Sequence, residues 1–375
     1  MWNETINHFV SVQRCYSYAR LPQVCPHRTR RAHRPHARCA THDSPEPHPA
    51  PPQEAPLTLP AVDEPHLRAG WPGRGDVTFR GVSMRYRPGL PLVLNDIHLE
   101  LHGGRKYGVV GRTGAGKTSL SVCLLRLVDL SAGAIEIDGV DVATLGLHTL
   151  RRAITYIAQD AVLFTGSLRD NLDPASASTD AQLMRALELV DFAERLTHPS
   201  ADAKSARPNG AEANGAHGVN GVNGVDGAHS AAHGGASLLD MRVTDGGANL
   251  SAGLRQLLML ARALLKVEPR VLVMDEATAN VDGATDATMQ RVVRAAFERT
   301  TIITIAHRLS TIIDFDAVVV LAAGAVAETG SPHDLLCRSP PSAFARMVDD
   351  CAEAAEPLRD AARVAADARA ADARP

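Results

Sequence analysis

Residues 111–118 spell Gly-Arg-Thr-Gly-Ala-Gly-Lys-Thr and match the pattern G-x-x-x-x-G-K-[ST]. A mostly apolar run, Lys106–Val110, precedes them, and a helical pattern follows over residues 119–128. Strand, glycine-rich loop and helix in this order form a phosphate-binding loop, because glycine lets backbone N–H groups converge on phosphate oxygens and the helix N-terminus adds a positive dipole. We expect Lys117 to reach the β- and γ-phosphates and the Thr118 hydroxyl to bind Mg²⁺. The predicted nucleotide-binding residues of this segment are Gly111, Arg112, Thr113, Gly114, Ala115, Gly116, Lys117, Thr118 and Ser119.

A second group that could do chemistry consists of Asp275 and Glu276, which follow a mostly apolar run over residues 270–274. Continuous apolar strands are typical of a parallel sheet buried on both faces, and open α/β sheets place ligand-handling residues at the carboxyl ends of such strands. We therefore expect Asp275 to bind nucleotide and orient Mg²⁺, and Glu276 to act as the general base that polarises the attacking water. By itself, an apolar strand ending in Asp-Glu is weak evidence for a site that hydrolyses a nucleotide. In a chain that also has a phosphate-binding loop, it is strong evidence for such a site.

Just upstream of that strand, residues 250–256 spell Leu-Ser-Ala-Gly-Leu-Arg-Gln, which resembles the LSGGQ signature peptide of ABC ATPases. Other residues match that family in order and spacing. Each alone has a plain structural explanation, and their joint occurrence favours the functional one. For this chain's own ATP, the resemblance implies that Tyr86 stacks on adenine, that Gln159 is the Q-loop glutamine near Mg²⁺ and the attacking water, and that His307 is the switch histidine at the γ-phosphate. It also implies that Ser251 and Gly253 face the ATP of a partner domain. Asp282 would be the D-loop aspartate.

This chain departs from the family pattern in three places. Leu254 stands at the signature glutamine, and Ala252 stands at the first of the two signature glycines. The Q-loop segment, residues 158–161, lacks flanking prolines, and an insertion precedes the signature. These differences concern the signature and the Q-loop and leave the phosphate-binding loop intact.

The strings at residues 109–117 and 162–174 resemble the second nucleotide-binding domain of the multidrug-resistance-associated, or C, subfamily. Residues 1–22 resemble the segment that leaves the last membrane helix of those proteins. The resemblance implies an α/β fold: a P-loop NTPase core of the ABC type, an antiparallel β-subdomain before it, and a helical subdomain from about Ser167 to Arg262. It also implies that two such domains close head-to-tail around two ATP molecules.

Composition divides the chain into four regions. Residues 1–22 are the membrane-proximal remnant, and residues 23–75 are rich in Pro, His and Arg and predict a disordered linker. Residues 76–349 form the ATPase domain, and residues 350–375 form an Ala-rich tail that has little to bury. Within the domain, residues 209–235 repeat Asn-Gly units with almost no large side chains and predict a flexible surface insertion.

The chain has 39 basic and 42 acidic residues, a formal charge of -3, and shows no basic face. No stretch reaches the roughly 18 to 20 apolar residues of a membrane span. Six scattered cysteines without a C-x-x-C pair predict a reducing compartment.

We therefore predict ATP hydrolysis with Mg²⁺ that powers export of organic solutes at the cytosolic face of a membrane. The predicted partners are membrane-spanning domains and a second nucleotide-binding domain outside this chain, and no nucleic acid. One alternative is a soluble ABC ATPase acting in translation or on nucleic acid. Another is a non-catalytic ATP-binding subunit, which the presence of Glu276 and His307 disfavours. A P-loop kinase would need no signature peptide.

Overall fold

The computed structural model describes residues 55–197, 237–266, 269–279, 281–351 and 354–372. The predicted membrane-proximal segment 1–22, the predicted linker residues 23–54 and the predicted insertion 209–235 lie outside these ranges. The described strands are β1 (Val77–Met84), β2 (Leu94–Leu101), β3 (Lys106–Val110), β4 (Ala132–Ile137), β5 (Val140–Asp141), β6 (Ile154–Ile157), β7 (Gly166–Ser167), β8 (Arg242–Val243), β9 (Val271–Asp275), β10 (Thr301–Ile305), β11 (Ala317–Ala322) and β12 (Ala325–Gly330). The described α-helices are α1 (Pro60–Arg68), α2 (Lys117–Leu124), α3 (Leu147–Ala153), α4 (Leu168–Leu172), α5 (Asp180–Leu189), α6 (Phe192–Thr197), α7 (Ala252–Leu264), α8 (Gly283–Ala296), α9 (Pro332–Cys337), α10 (Ala343–Asp349) and α11 (Ala355–Asp372). Within these ranges, no helix combines the length and the apolar character needed to cross a membrane.

A six-stranded sheet in the order β12-β11-β3-β10-β9-β6 lies at the centre of the domain. The strands from β11 to β6 run parallel, and β12 pairs antiparallel with β11 at one edge. Every residue of β9 and β10 is buried, as expected for aliphatic and β-branched strands that are covered on both faces. Because β3, β10 and β9 are parallel neighbours, the loops that follow them meet at one edge of the sheet.

A separate antiparallel sheet has the strand order β2-β1-β4-β5. Buried and exposed positions largely alternate along β2, so this sheet buries one face. The buried face shares one apolar core with the central sheet, in which Val77 and Ile97 join Val109 and Val273. The predicted combination of an α/β core with an antiparallel β-subdomain is confirmed.

The helical subdomain contains α4, α5, α6 and α7. Its residues Leu168, Leu187 and Phe192 lie in an apolar core that the subdomain shares with β9, β10 and α8. Its two halves, on either side of residues 198–236, meet in a short antiparallel ladder between β7 and β8. The backbone N–H of Leu168 also donates to the carbonyl oxygen of Met241 across 2.8 Å. The chain therefore closes this subdomain across the position of the predicted insertion.

The predicted disordered linker does not hold for residues 55–75. Helix α1 begins at Pro60, whose fixed φ suits the first turn of a helix. Asp63 on this helix is 4% exposed and accepts a hydrogen bond from the Gly146 N–H at 2.9 Å. The Trp71 indole N–H donates to the carbonyl oxygen of Ile137. Asp63 and Trp71 anchor this segment to the domain. The high proline content of the segment predicted disorder and did not indicate these two contacts.

The prediction that the tail has little to bury is also wrong. Helix α11 buries Leu358 and Ala362 in a core cluster with Leu335 and Phe344. The buried positions are four residues apart and therefore lie on one face of the helix. The Arg369 guanidinium extends the contact by donating to the carbonyl oxygen of Asp314 at 2.9 Å. Small alanines on this face let the helix pack closely against the domain. The low content of large apolar residues in the tail did not indicate this packing.

Candidate active site

The glycine-rich loop connects β3 to α2 and brings its glycines against the rest of the domain. Gly111 and Gly116 have φ angles of 155° and 97°. A Cβ on Gly111 would collide with the carbonyl oxygen of Leu321, whereas a Cβ on Gly114 would meet nothing within 4 Å. The Lys117 ammonium donates to the carbonyl oxygen of Gly111 at 3.0 Å, so its charge lies across the loop. The fold thus requires glycine at the loop ends, and the middle of the loop stays open.

Asp275 ends β9 and lies 2% exposed beside the start of α2. Its Oδ1 accepts a hydrogen bond from the Thr118 hydroxyl at 3.3 Å, and its Oδ2 accepts one from the Tyr156 hydroxyl at 3.2 Å. Burial raises the pKa of Asp275 to about 6; the Tyr156 hydrogen bond lowers it and the neighbouring Glu276 charge raises it. A hydroxyl and a carboxylate oxygen this close form the hard oxygen pair that Mg²⁺ prefers.

Glu276 follows directly and has a φ of 46°, in the left-handed region that costs energy for a residue with a side chain. Its backbone N–H donates to the carbonyl oxygen of Ile305, the last residue of β10, at 2.9 Å. This bond turns the chain at the sheet edge, where Glu276 and the exposed His307 line one small pocket. Thr304 and Thr311 also line this pocket. The structure therefore brings the predicted general base and switch histidine to the same place.

Tyr86 lies 44% exposed near the loop. Its hydroxyl is hydrogen-bonded to the Ser119 hydroxyl at 2.9 Å, and burial raises the pKa of Tyr86. Ser119 is itself buried, whereas Arg112 and Thr113 are exposed on the loop. The bond anchors the tyrosine by its tip and leaves part of the ring accessible to a planar ligand.

The Gln159 side chain is exposed, and its backbone is held by a residue that the sequence did not single out. Gln256, on α7, donates its side-chain amide to the carbonyl oxygens of Ala158 at 3.3 Å and Gln159 at 2.6 Å. Further along α7, the Arg262 guanidinium donates to the carbonyl oxygen of Val162 at 3.0 Å. The signature helix therefore holds the backbone of the Q-loop and of the residue that follows it.

The signature residues lie in the helical subdomain. The Ser251 hydroxyl caps α7 by accepting from the Leu254 N–H at 3.2 Å. Gly253 packs against α8, since a Cβ there would meet the Thr285 hydroxyl at 3.0 Å. Asp282 caps α8 by accepting from the Thr285 N–H at 2.9 Å. Among the described residues, Ser251 shares no hydrogen bond with the loop at residues 111–118, so the structure does not bring these two predicted parts together.

The sequence did not predict that Tyr156 and Gln256 contact residues of the site. Tyr156 lies in a strand pattern, where a tyrosine is an ordinary packing residue. Gln256 lies inside the signature string, but its spacing carries no sign of which carbonyl oxygens it would reach.

The apolar side chain at the altered signature position is buried. Leu254 is 8% exposed and packs in the core of the helical subdomain with Leu250 and Leu257. The departure from the family's glutamine therefore falls in the interior of this subdomain in this chain.

This chain is similar to known proteins in both sequence and structure. Residues 94–279 match the family model described as ABC transporter. "ATP-binding cassette sub-family C member 3" of Homo sapiens is 45% identical over 267 residues, which cover 71% of this chain and 15% of that protein. "Multidrug resistance protein mrp-7" of Caenorhabditis elegans is 46% identical over 284 residues, 76% of this chain and 16% of that protein. This chain thus spans only about one sixth of these relatives.

A solved structure described as "Structure of a bacterial Atm1-family ABC exporter with ATP bound" superimposes with a TM-score of 0.60. It is 30% identical and covers 75% of this chain and 42% of its own. The family match and the relatives show the family, and this likeness shows the fold. The chain belongs to the ABC transporter family and carries a nucleotide-binding domain similar to those of its C subfamily.

Proposed function

We propose that this chain binds ATP at residues 111–119 and hydrolyses it with Glu276 as general base. The observation that carries the proposal is the hydrogen bond between Thr118 and Asp275, two residues 157 positions apart in the chain. It joins the helix that follows the glycine-rich loop to the strand that ends in the two carboxylates. A phosphate bound on the loop would lie beside those carboxylates.

The loop and its lysine hold the phosphates. Backbone N–H groups of the loop converge on phosphate oxygens, and Lys117 moves from its contact with Gly111 to the β- and γ-phosphates. Thr118 and Asp275 would hold Mg²⁺, with Gln159 reaching it from the Q-loop, and the ion would neutralise phosphate charge. The accessible ring of Tyr86 stacks on adenine, a contact worth about 1–3 kcal/mol for a base on an aromatic side chain.

Glu276 acts on the attacking water. Its carboxylate accepts a proton from the water while the water oxygen bonds to the γ-phosphorus and the bond from that phosphorus to the bridging oxygen breaks, so that ADP leaves with the bridging oxygen. The pocket that Glu276 shares with His307 confines that water. The His307 imidazole contacts the γ-phosphate from the same pocket. Glu276, whose backbone is left-handed, lines this pocket directly after the end of β9.

At the level of the whole protein, we propose that this domain powers export of organic solutes. It would act at the cytosolic face of a membrane with membrane-spanning domains and a second nucleotide-binding domain. Ser251, Gly253 and Asp282 would then face the ATP held by that second domain. A role on nucleic acid is less well supported, because the matching family model is described as ABC transporter and the similar solved structure is an ABC exporter.

Two substitutions in the full chain test this proposal. Lys117→Ala should abolish ATP binding, measured by equilibrium dialysis. Glu276→Gln should keep ATP binding and reduce phosphate release by about 10² to 10⁴, the usual effect of losing a general base. The matched control is Glu188→Gln, since Glu188 is an exposed residue on α5 and should leave both properties unchanged. Equal turnover by Glu276→Gln and the parent would remove Glu276 from this role.

A further inference from the structure

Tyr156 contacts the carboxylate at the end of the neighbouring strand. It lies on β6, which pairs in parallel with β9, and its Cα partner there is Val273. From this position its hydroxyl donates to Oδ2 of Asp275 at 3.2 Å, although the two residues are 119 positions apart. The contact therefore depends on the strand order of the sheet.

The Asp275 carboxylate is held at both oxygens. Thr118 donates to Oδ1 and Tyr156 donates to Oδ2, and at 2% exposure the carboxylate has almost no access to water. A buried carboxylate oxygen without a donor is costly, so the phenol both satisfies Oδ2 and limits rotation of the group. The rotation that remains keeps Oδ1 next to the Thr118 hydroxyl.

We propose that Tyr156 is a positioning residue for Mg²⁺. Its hydroxyl orients Asp275 so that Oδ1 and the Thr118 hydroxyl face the metal together. This inference rests on the proposed function, and it assigns to Tyr156 a role through Asp275 and no direct contact with metal or nucleotide. Hydrogen-bond partners that orient metal ligands typically change metal affinity by about 10- to 100-fold when they are removed.

The test compares Tyr156→Phe with Tyr107→Phe in the full chain. Both changes remove one hydroxyl and keep the ring. The Tyr107 hydroxyl accepts from the His102 N–H at 2.7 Å, away from Asp275, so it is a matched control for the loss of a hydrogen bond. For each protein, the affinity for a fluorescent ATP analogue is measured with excess Mg²⁺ and with EDTA.

We expect the ratio of the affinity with Mg²⁺ to the affinity with EDTA to fall about tenfold in Tyr156→Phe and to stay at the parent value in Tyr107→Phe. The affinity in EDTA should be the same in all three proteins. The melting temperatures of the two variants show whether each remains folded.

The inference is overturned if Tyr156→Phe keeps the parent ratio, or if both variants lose it equally. It is also overturned if the parent binds the analogue equally well with and without Mg²⁺. A parent chain that binds no analogue under either condition would instead contradict the proposed function, and this inference with it.

Discussion

The side-chain amide of Gln256 lies 2.6 Å from the backbone carbonyl oxygen of Gln159, 97 residues earlier in the chain. The first residue lies on α7, the helix that Ser251 caps, and the second carries the predicted Q-loop side chain. The bond therefore joins the backbone of the predicted Q-loop to the helix that carries the signature peptide.

Replacing Gln256 should lower turnover more than nucleotide affinity. Gln256→Met keeps the length of the side chain and removes the donor, so the Q-loop backbone loses an anchor while the phosphate-binding loop is untouched. We expect kcat for ATP to fall by about 10- to 100-fold, because small displacements of catalytic groups have effects of that size, and KM to change little. Steady-state phosphate release measures both constants.

Gln290→Met is the matched control for this change. Gln290 lies on α8, and its amide reaches Asp286 at 3.5 Å, far in sequence from the Q-loop segment. The Gln290→Met variant should keep the parent kcat. If Gln256→Met and Gln290→Met behave alike, the amide does not position the Q-loop.

Restoring the family's glutamine at the signature should destabilise this chain. Leu254 is 8% exposed in an apolar core, so Leu254→Gln would place an amide among leucines. We expect a loss of about 1–3 kcal/mol in the free energy of unfolding, the cost of burying an unpaired polar group. Urea unfolding measures it, with Leu189→Gln, at a 37% exposed position of the same subdomain, as the control. A variant as stable as the parent would mean that the subdomain opens to hydrate the amide.

Stability without metal or nucleotide should depend on the ionisation of Asp275. Burial raises its pKa to about 6 from the ordinary 3.8. At pH values between these two pKa values, the folded state binds more protons than the unfolded state. The free energy of unfolding therefore falls as pH rises from about 4 to 6. The full effect of this one group is about 3 kcal/mol.

Asp275→Asn removes this titration. Its free energy of unfolding should therefore decline less than that of the parent over the same pH interval, as measured by urea unfolding at several pH values. Parallel curves for the two proteins would show that Asp275 keeps an ordinary pKa in the folded state.

The tail helix should contribute to the stability of the domain. Leu358 is 7% exposed and Val364 is 60% exposed on the same helix. Leu358→Ala should cost about 2–5 kcal/mol, the range for a leucine lost from a packed site. Val364→Ala should change stability by less than about 0.5 kcal/mol. Equal effects of the two changes on chemical denaturation would mean that α11 is not docked in solution.

The sequence by itself determined the parts of the site whose chemistry is encoded locally. A strand, a glycine-rich loop and a helix follow one another within about twenty residues, so the backbone geometry at Lys117 and Thr118 follows from residue type and order. The same holds for Asp275 and Glu276 after a buried strand. The α/β core and its two subdomains were implied by the resemblance to ABC ATPases, which rests on the order of these motifs in the chain.

Only the tertiary structure decided which distant side chains support that site. Tyr156 reaches Asp275 because β6 lies next to β9, and Gln256 reaches Gln159 because α7 packs against the Q-loop. Neither contact has a sequence pattern, since a tyrosine in a strand or a glutamine in a helix satisfies the same periodicity with or without a partner. The docking of Asp63 and Leu358 has the same cause. Hydrogen bonds and packing between residues far apart in the chain depend on strand order and helix placement, which local composition does not encode.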